Sequence, residues 1–222
     1  MKYYILKQEA EPANFMKFWA RRYYDKNEPT YRKYIQRSLT PDSVRNLFAW
    51  KAMRINRGSI LAGKHPFVEA VIANLDRFKE IPLDTIDEAD HFLTNELKDK
   101  GMIWKIFALH ILHPDNYPIF DQNVYRAMVY MKTGIIKEIP GKDKEKQWSY
   151  ISEYIPFFND EHEYFEDRML DKALFSFGQF LKIPLELEWT RELQDERGNF
   201  NVDDKTISDS GRSYLGAGQT RP

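Results

Sequence analysis

The chain contains no cysteine, so it has neither a disulfide framework nor a thiolate metal site. It also lacks a long hydrophobic run. No stretch reaches 18 apolar residues, and the opening MKYYILKQEAEP has no extended apolar region, so neither a membrane span nor a signal peptide is expected. A dominant charge is missing too: 33 Lys+Arg face 34 Asp+Glu, unlike a strongly basic dedicated DNA binder. Period-2 alternation is almost absent, which argues against sheets. These absences leave a cysteine-free chain without a membrane anchor, expected to be cytoplasmic and monomeric.

What is present is a globular composition, 42% hydrophobic and 30% charged over 222 residues. That length supports one core, in one domain of one or two lobes. The net charge of −1 is unevenly spread. Residues 1–64 hold 14 Lys+Arg against 5 Asp+Glu, and the remainder holds 19 against 29. A polyanion on one side of the molecule would fit this asymmetry, and so would solvated helix faces.

The pattern predicts an all-α fold of about ten helices with short links. Residues 3–6 read as a short strand or an apolar anchor, and Pro12 to Tyr24 as a helix with Phe15, Phe18, Trp19 and Tyr23 inward, broken by Glu28-Pro29-Thr30. Thr40-Pro41 starts a helix placing Val44, Leu47, Phe48 and Lys51 on one face. Residues 54–64 form a basic loop; Pro66 to Phe78 is a helix, and Asp84 caps another with Asp87 at its third position. The run GKDKEKQ reads as loop, followed by helices over 148–158 and 161–181, with Pro184 ending the globular part. Residues 1–190 make the domain, and 191–222 a polar, weakly anchored tail.

The organising stretch is Leu97 to Met131, LKDKGMIWKIFALHILHPDNYPIFDQNVYRAMVYM. Its first helix, about Met102 to Leu112, is apolar on nearly every side and therefore belongs inside the protein. Lys105 interrupts it. A desolvated lysine loses its proton more readily and can act as an amine nucleophile; the alternatives are that it snorkels to the surface or binds a carboxylate. Pro118 keeps its predecessor out of the helical region, so Asp121 is placed as the N-cap of QNVYRAMVYM. The turn Lys98-Asp99-Lys100-Gly101 offers N–H groups and positive charge to an anion. His110 and His113, with Asp115 and Asp121 nearby, allow a metal site to be drawn, although two histidines without a clear third ligand more often pack and hydrogen-bond; no metal or cofactor is assigned. Aromatic residues such as Trp104 and Phe120 serve as core or as walls of a base-stacking pocket.

Gly101, Lys105 and the run YPIFDQNVYRA, Tyr117 to Ala127, resemble the helix-hairpin-helix base-excision DNA glycosylases, in particular a bacterial branch with an 8-oxoguanine-glycosylase-like fold. Stretches similar to that branch include LFAWKAM (Leu47 to Met53) and LDKALFSFGQFLK (Leu170 to Lys182). The resemblance implies a helix-hairpin-helix-like element at about 90–131 and a double-stranded DNA partner carrying a damaged base such as 8-oxoguanine. It implies Asp121 as the catalytic aspartate and Lys105 as the lyase nucleophile. Lys98, Lys100, Gly101 and Arg126 would be DNA contacts, with Arg54, Arg57 and Lys64 as further backbone contacts. Trp104, Phe120 and His110 would form the base pocket. One residue is inserted between Pro118 and Asp121, the hairpin keeps only Leu97 and Gly101 of its usual pattern, and Lys105 stands 16 residues before Asp121, a few fewer than usual. A bifunctional glycosylase, a monofunctional one using Asp121 and water, and a non-catalytic nucleic-acid or protein-interaction module all fit these departures.

Overall fold

A computed structural model of the chain describes residues 11–35, 38–52, 65–97, 101–162, 165 and 167–196, with side chains of the last helix described as far as Lys182. Every regular element among them is helical. The helices are α1 (Pro12–Ala20), α2 (Glu28–Ile35), α3 (Pro41–Lys51), α4 (Pro66–Ala73), α5 (Leu75–Glu80), α6 (Ile86–His91), α7 (Met102–Leu112), α8 (Gln122–Thr133), α9 (Asp143–Trp148), α10 (Ile155–His162) and α11 (Asp167–Glu196). A π-helical turn, Phe92–Glu96, extends α6, and a second, Ser149–Tyr154, joins α9 to α10. No described helix is long and apolar enough to cross a membrane. The chain divides into a unit over Met1–Leu185 and another over Glu186–Pro222.

Helix α7 is the centre of the first unit, as its sequence demands. Met102, Ile106, Phe107, Ala108, Leu109, His110 and Ile111 are all buried. Burying a side chain such as Phe107 contributes roughly 1.5–3 kcal/mol. Phe107 meets Phe48 of α3 edge-on at 5.2 Å, while Trp104 lies flat between Phe48 and His65. Helix α1 packs its Phe15 and Trp19 against Phe177 of α11, at 4.9 and 5.1 Å. Phe18, expected inward, is 47% exposed, because the stripe of α1 facing α11 is set by Phe15, Met16 and Trp19.

Local signals account for most helix starts. Thr40 caps α3 with a full capping box to Ser43, and Pro41 sits at its first turn. Thr85 caps α6, with Glu88 reaching back to it. That displaces the expected Asp84/Asp87 pair by one residue, and a threonine–glutamate box satisfies two amides at once. Glu28-Pro29-Thr30 opens α2 and does not merely break α1, since proline is tolerated in a first helical turn. The 66–78 helix is split at Asn74. The charged run predicted as loop forms α9, where Asp143 and Glu145 in the first turn and Lys146 in the last complement the helix dipole. Pro184 lies within the span of α11, which continues to Glu196.

Helices α8 and α11 touch through Gly178. A Cβ there would stand 1.9 Å from the Asn123 carbonyl oxygen, against backbone that has no room to yield. Gly178→Ala should therefore cost about 3 kcal/mol or more in urea denaturation. Gly101→Ala should be near neutral, because its φ is −62° and a Cβ there meets nothing within 4 Å.

Candidate functional site

Asp121 is the N-cap of α8, as its position after Pro118 predicts. Its Oδ1 accepts from the amides of Asn123 at 2.8 Å and Val124 at 3.2 Å. The other oxygen, Oδ2, accepts from Lys51 Nζ at 3.3 Å. Lys51 ends α3, donates also to the Phe120 carbonyl at 3.4 Å, and lies 5.6 Å from the centre of the Phe107 ring. The side chain thus meets a carboxylate, a carbonyl oxygen and an aromatic face at once.

The two side chains are 14% and 21% exposed, at the edge of a cavity of about 960 Å³. Ile103 of α7, Gln122 and Asn123 of α8, Trp50 of α3 and Phe175 and Asp171 of α11 are among its walls, so the helix before the Pro118 link and the helix after it both border one hollow. Gln122 Oε1 accepts from the Ile139 amide at 3.3 Å, which fixes the orientation of the side-chain amide and leaves its buried Nε2 without an acceptor.

Beside this pair lies a set of buried and half-buried charges. Arg168 bonds Asp171 and takes Glu28 through two nitrogens, its Nε at 3.0 Å. Lys172 Nζ reaches the same Glu28 at 3.0 Å. Burial pushes Glu28 up, but hydrogen bonds and charge from Arg168 and Lys172 more than reverse this, leaving it below the ordinary carboxylate range. Asp171 behaves oppositely. Burial lifts it to about 6 despite Arg168, with the Asp121 charge adding to the rise.

The structure distributes the sequence-predicted residues unevenly. Lys105 is half-buried on another side of α7: its Nζ donates to the Leu93 carbonyl at 3.3 Å, its charge acts on Asp143, and it does not border the Asp121 cavity. Asp143 also accepts from the Met102 amide, so an acid already occupies the start of α7 beside the exposed Gly101. Arg126 is 1% exposed and fully engaged. Its Nε and a terminal nitrogen donate to Glu138, and the other terminal nitrogen donates to the Gly178 carbonyl and Asn123. It locks α8 to α11 and does not present itself to a phosphate.

Phe120 is core, packed on Tyr150 and Tyr154 at 5.2 and 5.0 Å. Trp104 is likewise held in the α3–α7 stack and does not border the cavity. His110 borders a second cavity of about 910 Å³ that shares Asp171 and Ile119 with the first. Lys98, Lys100, Arg54, Arg57, Lys64 and the 3–6 segment lie outside the described residues. Among those described, no group of three or more His, Asp or Glu side chains is arranged to hold a metal ion. No family model, curated protein or solved structure matches the chain.

Lys51, Asp171, Arg168 and Glu28 went unread as site residues. Lys51 does carry a signal, since it is the one cation on the Val44–Leu47–Phe48 face of α3. Asp171 is an acid on the stripe that also bears Leu174 and Gly178.

His110 supplies a pH test. Its Nδ1 lies 2.7 Å from the Tyr117 carbonyl and must donate to it, so Nε2 accepts from the Tyr31 hydroxyl at 2.8 Å. Burial lowers its pKa from 6.5 to about 3. The unfolded chain thus binds a proton that the folded chain refuses, so this contribution is present above pH 6.5 and is lost as pH falls toward 3. Asp171, raised from 3.8 to about 6, runs the other way: its contribution is present below pH 3.8 and is lost as pH rises through 6. His110→Gln keeps a donor and an acceptor without titrating. Between pH 6.5 and 4 the wild type should lose on the order of 3 kcal/mol relative to this variant. A stability difference that stays constant with pH would show that His110 is not desolvated.

Proposed function

We propose that the chain is a DNA glycosylase-like enzyme that releases a damaged base by hydrolysis, with Asp121 and Lys51 at the reacting centre. The observation that supports this best is the Asp121–Lys51 pair at the edge of a cavity of about 960 Å³, large enough for a nucleotide taken out of the base stack. An open hollow between Ile103 and the start of α8 favours an enzyme over a binding module whose pocket has been filled.

In this reading the N-glycosidic bond breaks with its electron pair leaving on the base, and positive charge develops at the sugar C1′. The ionised Asp121, held by the amides of α8, stabilises that charge. Water adds to C1′ and gives its proton to Asp121, while the Lys51 ammonium donates a proton to the departing base. Asp121 then returns that proton to the Lys51 amine across their contact at 3.3 Å, which restores both groups for the next turnover and competes with any Schiff-base step.

Base release from 8-oxoguanine duplexes, with other damaged bases alongside, tests the proposal. Asp121→Asn should lower release by about 100-fold or more, and Lys51→Ala by about 10–100-fold, in line with the size of acid–base contributions. Lys105→Ala should stay within a few-fold of wild type, and borohydride should trap no adduct. Release that depends on Lys105, with a trapped adduct, would overturn this assignment.

A further inference from the structure

The turn between α1 and α2 borders the same cavity and divides two adjacent tyrosines between inside and outside. Tyr23 turns inward, with its hydroxyl 3.3 Å from Glu28 Oε2 and its ring on Phe175 at 5.6 Å. Tyr24 is 87% exposed and borders the cavity. A single exposed aromatic is ordinary by itself. Here the next residue fastens the turn. Asp25 accepts from the Trp50 indole at 2.7 Å with one oxygen and from the Asn27 amide at 2.8 Å with the other. Trp50 precedes Lys51, so the turn that presents Tyr24 is tied directly to the helix end carrying the amine. The exposed cations Arg21 and Lys26 flank it.

We propose that Tyr24 is a stacking platform for a nucleic-acid base at the cavity mouth, with Arg21 and Lys26 facing the neighbouring phosphates. The occupant is the DNA strand that carries the extruded nucleotide. A ring carried on a fastened turn needs no backbone rearrangement to stack, and every base offers a π face, so the contact would hold the strand without reading its sequence. This rests on the proposed function, because the strand is the one whose base enters the Asp121 cavity.

Fluorescence anisotropy at low salt, with the full chain and a labelled duplex containing an abasic-site analogue, tests it. Tyr24→Ala and Tyr24→Leu should each weaken binding about tenfold, and Tyr24→Phe should keep it, with melting temperatures unchanged because the ring is exposed. Leucine retains bulk without a π face, so a Leu variant that binds like wild type overturns the stacking role. Wild-type binding that is indifferent to all three changes overturns this inference alone and leaves the Asp121 chemistry standing. A wild-type chain with no affinity for the duplex overturns both.

Discussion

The division of labour between the two oxygens of Asp121 governs the geometry around it. One oxygen is committed to the first free amides of α8, which orients the carboxylate. Only the other can face outward, and it faces Lys51. The end of α3 is thereby fastened to the start of α8, beside the hollow that both border. A carboxylate fixed by helix amides holds its position whether or not a ligand is present, which is what stabilising a developing charge requires.

Three carboxylates and three cations share this region: Asp121, Asp171 and Glu28 with Lys51, Arg168 and Lys172. Taking charges out of water costs several kcal/mol each, and such a set persists because every member has a partner. The balance is not uniform. Glu28, bonded by two residues of α11, stays below its ordinary range, whereas Asp171 is lifted to about 6 because burial outweighs its single strong partner. Asp171 borders both cavities. The acid with the weakest hold on its charge thus stands at the wall the two hollows share, where a ligand in either would change its surroundings.

The sequence made the all-α class legible because amphipathic period and capping are local properties. Thr40-Pro41, the Asp121 cap and the span Met102–Leu112 are each legible from a few neighbouring residues. What was illegible depends on distance along the chain. Lys51 and Asp121 are 70 residues apart, and Glu28 and Arg168 are 140 apart, so no spacing rule could join them. Arg126 was expected as a DNA contact from its place in the glycosylase-like segment; its burial follows from Gly178, which lets α11 approach closely enough to offer a carbonyl. Lys105 looked buried because its neighbours in sequence are apolar. A helix turns 100° per residue, however, and the side chain emerges at the edge facing Leu93.

The exchange of one lysine for another changes the expected chemistry more than the loss of one candidate would. A lysine surrounded only by apolar groups favours the neutral amine, and with it covalent attack on the sugar. Lys51 instead sits against a carboxylate, a carbonyl and an aromatic face. A cation beside Asp121 also tempers the negative potential that a DNA strand would meet at the cavity mouth, while leaving the carboxylate able to face a cationic sugar. In the proposed function, it is this placement of charge around Asp121 that favours hydrolysis over covalent attack, independently of how closely the segment matches a glycosylase pattern.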